Sequence, residues 1–182
     1  MAEVKVLVKG YTSEDKDEEV TCATISLVRD GDIIMVVDPG VLENQKILVD
    51  SLKKEGLRIE DVTHVCITHS HIDHYRNIGM FKDAKTLEYY GLWDGNKVDD
   101  WGEDFSKNIK ILNTPGHDKT GITLLVKTDL GVIAVCGDVF WKKDFPKKDI
   151  YADDIDFLKK SRKKVLELAD YIVPGHDDMY KV

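Results

Sequence analysis

The chain has 182 residues, of which 42% are hydrophobic and 33% charged, with a formal net charge of −8. That length suits one domain with a core of its own, and the acidic balance counts against a surface that grips a phosphate backbone, so nucleic acid is not an expected partner. No apolar run is long enough to span a bilayer and no leader pattern opens the chain, so the expectation is a cytoplasmic protein without membrane contact. Cys22, Cys66 and Cys136 lie far apart without zinc-type pairing, and Cys66 and Cys136 sit in apolar runs as buried side chains. A sparse, odd count suits a reducing compartment.

In chain order, residues 3–9 alternate polar with apolar (Val4, Val6, Val8) and read as an edge or half-buried strand. Residues 10–19 are acidic and apolar-poor, a loop. A second strand is expected at 21–28. The turn chemistry of Arg29-Asp30-Gly31-Asp32 leads into a third at 33–37, which completes a meander closed by Asp38-Pro39-Gly40. Residues 42–54, with Ile47, Leu48 and Leu52 at helical spacing, predict a helix with Gly56 at its C-terminal cap. Residues 62–67 are β-branched and apolar, a buried strand, and 73–81 have helical spacing. Residues 85–90 and the Gly- and Asp-rich stretch to 102 read as short strands and turns. Further strands end at Leu112, Val126 and Val135. An aromatic, Lys-rich loop covers 140–151, followed by a helix over 153–168. Ile155, Leu158, Val165 and Leu168 are expected on its inner face and Asp153 or Asp154 at its positive end. A last strand covers 171–173. Two successions of strands, each followed by a helix, predict an α/β protein with two sheets stacked between helices.

The chemistry concentrates in Thr68-His69-Ser70-His71-Ile72-Asp73-His74, where three imidazoles and a carboxylate leave the end of a strand. Neutral imidazole and carboxylate suit zinc, iron and similar divalent ions. One local run cannot close two metal sites, and further candidates stand at other strand ends, each beside a glycine: Pro115-Gly116-His117, Gly137-Asp138 and Pro174-Gly175-His176. Together these supply five histidines and two aspartates. His64 lies inside a strand and outside the pattern.

Taken in this order, the four motifs resemble the metallo-β-lactamase fold superfamily of hydrolases over nearly the whole chain. The stretch from His71 to Phe81 and the closing stretch from Pro174 to Val182 are similar to the small single-domain proteins grouped with metallo-β-lactamase domain-containing protein 1. The resemblance implies one domain over 1–182, a four-layer αββα sandwich of two mixed β-sheets flanked by helices. It implies one metal held by His69, His71 and His117, and a second held by Asp73, His74 and His176, with Asp138 bridging the two. Asp38-Pro39-Gly40 resembles the family's early Asp-containing turn, which supports the metal loops without binding metal. Departures narrow the branch. Ser70 stands where flavodiiron-type oxygen reductases place a carboxylate, and Asp138 where many antibiotic-degrading members carry Cys.

The expected activity is therefore that of a dinuclear metal-dependent hydrolase whose metal-bridging hydroxide attacks a small ester, thioester or lactone. Two divalent metal ions are expected as cofactors, zinc first, with iron or manganese as alternatives. Asp73 is expected to act both as ligand and as the acceptor that orients the attacking water. The alternatives are a metal-dependent phosphodiesterase or ribonuclease, and a single-iron persulfide dioxygenase; retention of His74 and His176 counts against the latter. A structural metal site would be closed and Cys-rich, unlike this set. The expected partner is a small-molecule substrate, and a homodimer is compatible with the aromatic loops. Trp93, Trp101, Phe140, Trp141, Phe145 and Tyr151 are candidate pocket walls, and Tyr180 is a candidate to reach the site.

Overall fold

The structure, a computed structural model, describes residues 1–13 and 20–182. Its elements in order are β1 (Glu3–Val8), β2 (Tyr11–Thr12), β3 (Thr21–Cys22), β4 (Ile25–Asp30), β5 (Ile33–Val37), α1 (Lys46–Lys54), β6 (His64–Cys66) and α2 (Ile72–Tyr75). There follow β7 (Lys85–Glu88), β8 (Gly91–Asp94), β9 (Lys97–Asp99), β10 (Ile109–Asn113), β11 (Ile122–Thr128) and β12 (Gly131–Val135), then α3 (Ile155–Leu168), β13 (Tyr171–Val173) and β14 (Tyr180–Lys181). One sheet runs β1-β4-β5-β6-β7-β8-β9 and a second runs β10-β11-β12-β13-β14, while β2 and β3 form a separate ribbon. Both large sheets are mixed: β5, β6 and β7 are parallel neighbours, as are β12 and β13, and the other pairs are antiparallel.

Side-chain alternation sorts the apolar residues into layers. On one face, Val28, Met35, Val37, Cys66 and Leu87 of the first sheet meet Ile109, Ile111, Leu124, Val126, Ile133, Val135 and Val173 of the second. The opposite face of the first sheet (Ile25, Val36, Val65) packs on Leu48 and Leu52 of α1. The opposite face of the second (Leu125, Ala134, Ile172) packs on Leu158 and Val165 of α3. The order is helix, sheet, sheet, helix, as the sequence implied. Burying one such aliphatic side chain contributes about 1.5–3 kcal/mol.

The structure corrects several element bounds. The expected strand at 21–28 is cut at Ala23-Thr24, because the Thr24 N–H donates to the Gly175 carbonyl (2.6 Å) and its hydroxyl to the Asp177 carbonyl (2.8 Å). That break turns Thr21 toward the first histidine motif. The start of the loop read at 10–19 carries β2, and 14–19 lie outside the described residues. Helix α1 begins at Lys46, not 42, behind an Asx turn in which the Asn44 side chain accepts from the Lys46 N–H (2.8 Å). The helix expected at 73–81 is split into α2 and a single 3₁₀ turn at Ile78–Met80. Asn77, at the break, is buried and donates its amide to the carbonyls of Pro39 and Gly40. On α3 the buried residues are Leu158, Ser161 and Val165, whereas Leu168 is exposed. No helix among the described residues is long and apolar enough to cross a membrane.

Candidate metal centre

Parallel pairing decides what meets at the site. Val37 lies opposite Cys66 on β5 and β6, so Asp38 and the turn after β6 leave the same edge of the first sheet together. Val135 lies opposite Val173 on β12 and β13, so Gly137-Asp138 and Pro174-Gly175-His176 leave the second sheet side by side. The Ile122 N–H donates to the Thr68 carbonyl (2.8 Å) and ties the two edges across the gap. The site thus stands beyond the carboxyl ends of the strands, a common place for ligand sites in α/β proteins.

All seven candidate ligands come together there. His69, His71, His117 and Asp138 form one group and Asp73, His74 and His176 a second, and within each group one ligand atom per residue lies within 4.8 Å of the others. Asp138 faces both groups. Its Oδ2 is 3.3 Å from His117 Nε2 and 3.9 Å from His69 Nε2, and its Oδ1 is 3.4 Å from His74 Nε2 and 3.2 Å from His176 Nε2. Asp73 Oδ2 lies 3.7 Å from His176 Nε2 and 3.9 Å from His74 Nε2.

Several of these atoms are buried without a hydrogen-bond partner: His69 Nε2, His74 Nε2 and Asp138 Oδ1. Leaving a buried polar atom unpaired costs about 1–3 kcal/mol, and here three point into one small space. A pair of divalent cations would satisfy them together, and the donor set of imidazole nitrogens and carboxylate oxygens is one that such ions accept. The residues therefore fit a two-metal site.

Outer contacts hold the rings. His74 Nδ1 donates to Asp38 Oδ2 (2.8 Å), and Asp38 also accepts from the Thr68 N–H (2.8 Å) and hydroxyl (2.6 Å). His117 Nδ1 donates to Asp149 Oδ2 (2.6 Å), and His176 Nδ1 to the Cys22 carbonyl (3.0 Å). With an ion bound, a hydrogen on Nδ1 of each ring would leave the Nε2 lone pair free for it. Thr21 donates its hydroxyl to Asp73 Oδ2 (2.9 Å), and Ser70 donates to Asp118 Oδ2 (3.1 Å). Gly175 is needed for closeness, since a Cβ there would overlap Asp138 Oδ1.

Electrostatics follow burial and neighbours. Burial drives His69 well below the ordinary imidazole range, and the His74 ring adds to this; His71 is lowered by burial and by His117. For His74, burial opposes the charged form, but Asp138 and Asp38 outweigh it and raise it well above that range. His176 is also raised, by Asp138 against burial. Burial would raise Asp138, yet His176 and His74 hold it well below the carboxylate range, so it is a firm anion.

A cleft of about 280 Å³ opens over the centre. His71, Asp73, His117, Asp138 and His176 form its floor, Thr12 and Thr21 one side, and Trp141 and Tyr151 the other. Of the six aromatic residues expected as walls, only these two line it. Phe140 is buried against α3, Trp101 packs on the core between the sheets, Trp93 points outward with its indole N–H on Glu88, and Phe145 stands behind Trp141. Tyr180 pairs across from Ile172 in β14 and packs beneath Phe140 and its neighbours, away from the cleft. His64 is half-buried edge-on to Phe105 and takes no part. Sequence reasoning missed Thr12, Thr21, Asp118 and Asp149. Asp149 carried a faint signal, as one of two acids, with Asp144, that interrupt the Lys-rich loop.

The sequence profile of the Metallo-beta-lactamase superfamily matches residues 23–95. The Metallo-beta-lactamase domain-containing protein 1 of Xenopus laevis is 33% identical over 98% of this chain and 81% of its own length. The chain spans between 59% and 63% of the mammalian proteins of that name. Among solved structures, a Thermotoga maritima protein classed as a metallo-beta-lactamase superposes with a TM-score of 0.76 at 22% identity, over 100% of this chain and 99% of its own. An N-acyl homoserine lactone hydrolase, solved with its product at the catalytic metal center, superposes with a TM-score of 0.71 at 15% identity, over 97% of this chain and 92% of its own.

Proposed function

The chain is a metal-dependent hydrolase of the metallo-beta-lactamase superfamily, and from that premise we propose that it takes two divalent metal ions, zinc first, to cleave a small ester, thioester or lactone. The observation that carries this reading is Asp138, whose carboxylate lies between two groups of imidazoles, within 4 Å of Nε2 atoms of both, with unpartnered Nε2 atoms among them. His69, His71 and His117 would hold one ion, Asp73, His74 and His176 the other, and Asp138 would span both. Such ions, when bound, would supply a water acidified toward neutral pH and a Lewis acid for the substrate's carbonyl oxygen.

The chain's own residues do the rest. Asp73 borders the cleft with Oδ2 fixed by the Thr21 hydroxyl, and as an acceptor it orients the attacking water. Trp141 and Tyr151 exclude water on one side and offer flat apolar surface to the acyl group or ring of a substrate. A cleft of about 280 Å³ suits a small molecule, and the lactone hydrolase that shares this fold supports the ester-type class. Three buried, unpaired cysteines support a reducing compartment such as the cytoplasm.

The test is elemental analysis of the purified protein, with turnover on esters, thioesters, lactones and a bis-phosphodiester measured on the same sample. About two metals per chain are expected, with carbonyl-ester hydrolysis lost on chelation and restored by zinc. Cleavage of the phosphodiester alone would replace the substrate class. One iron per chain without hydrolysis would overturn the reading in favour of an iron dioxygenase.

A further inference from the structure

The aromatic wall of the cleft and the metal ligands are stitched together, and the main stitch is a residue outside the seven-ligand pattern. Asp149 closes the 140–151 loop and its side chain is fully buried. One oxygen, Oδ2, accepts from His117 Nδ1 at 2.6 Å. The other, Oδ1, accepts from the Tyr151 backbone N–H at 3.0 Å. The Tyr151 ring stacks on Trp141, with centroids 5.8 Å apart and planes 19° apart. Trp141 in turn sets its ring edge-on to His117 at 6.0 Å. The loop's other end is also tied to a ligand segment, because the His176 N–H donates to the Trp141 carbonyl at 2.7 Å.

We propose that Asp149 is a positioning residue with two functions: it sets the His117 ring for metal, and through Tyr151 it couples metal occupancy to the shape of the substrate-binding wall. The inference rests on the metal-site reading given above. A carboxylate suits this place because an N–H donor meets each of its oxygens and the Arg162 guanidinium lies close enough to favour its charge. An amide in its place would turn one acceptor into a donor facing another donor, either at His117 Nδ1 or at the Tyr151 N–H. The ring would then lose its fixed hydrogen on Nδ1, or the wall its anchor. Because one rigid, buried side chain holds both, a cation that pulls His117 inward acts on the Trp141–Tyr151 stack. Disturbing the stack's backbone anchor acts on the ligand in turn.

The experiment compares wild type, Asp149→Asn, Asp149→Glu and Tyr151→Ala. Zinc affinity is measured by competition with a chromophoric chelator. The near-ultraviolet circular dichroism of the Trp141–Tyr151 stack is followed during zinc titration, and far-ultraviolet spectra check the fold. Asp149→Asn is expected to bind zinc about 10–100-fold more weakly, the usual effect of removing a ligand's outer partner. It is also expected to lose the zinc-dependent aromatic signal seen in wild type. Asp149→Glu keeps the charge and misplaces the carboxylate, so it should lose affinity even where the Asn variant does not fold. Tyr151→Ala keeps the backbone N–H and should retain wild-type zinc affinity while losing the aromatic signal and raising KM. Wild-type zinc affinity in the folded Asp149 variants, or an unchanged aromatic signal in Asp149→Asn, would overturn the proposal. A wild-type protein that binds no zinc would instead overturn the metal-site reading itself.

Discussion

Asp73 stands between two demands. It lies within 4 Å of the two imidazoles of its group, as a ligand must, yet it also borders the open cleft, as an acceptor for water must. Its Oδ2 takes one hydrogen bond, from Thr21, and a single bond of this kind contributes on the order of 1 kcal/mol to stability. Asp73→Asn keeps the shape and removes the charge. At matched metal content, kcat is therefore expected to fall about 10²–10⁴-fold, while the thermal midpoint changes little. A variant that turns over at the wild-type rate would remove Asp73 from the chemistry. The seven clustered residues were legible at this scale because each stands at a strand end beside a glycine or in one dense local run. Thr21 and Asp149 were not, because their partners, 52 and 32 residues away, are chosen only when the sheets close.

Among the elements, α3 connects local sequence rules to the site. Asp154 caps the helix, its Oδ1 accepting from the N–H groups of Asp156 and Phe157 at 2.9 Å each. The backbone N–H of Asp154 donates to the Gly116 carbonyl (2.9 Å), and that of Asp153 to the His117 carbonyl (3.1 Å). Gly116 admits this contact, since a Cβ there would run into the Leu158 backbone. The cap thus fastens the Pro115-Gly116-His117 motif. Asp154→Ala should cost about 1 kcal/mol, which for a chain of this length is a fall of about 2–4 °C in the melting midpoint by calorimetry. An unchanged midpoint would mean that the cap carries no load. The sequence placed an aspartate at this end correctly, but Leu168 leaves the core where the helix terminates. Ser161 enters it instead, because its hydroxyl finds the Pro115 carbonyl at 2.7 Å, a partner that apolar periodicity cannot foresee.

Over the whole molecule, the four layers follow from strand runs alternating with two helices, and that order was readable. The two-residue strands β2 and β14 did not stand out, and β8 and β9 were readable only as unspecified short strands and turns before residue 102, because strands of two to four residues carry too little periodicity. The arrangement has a thermodynamic consequence. His69, His71, Asp73 and His74 leave the first sheet, while His117, Asp138 and His176 leave the second, so cations at this centre would join the two halves of the sandwich. Ions that bind the folded chain and not the unfolded one stabilise it by about 4 kcal/mol when free metal stands at about 1,000 times the dissociation constant. At about 2–4 °C per kcal/mol for a chain of this length, chelation should lower the melting midpoint by about 8–16 °C. The midpoint should rise again with the logarithm of free zinc. The apolar layers between the sheets and under the helices do not depend on the ligands, so the chelated protein should keep its far-ultraviolet spectrum at 25 °C while melting earlier. A midpoint indifferent to both chelator and zinc would show that the ligand cluster contributes nothing to holding the two sheets together.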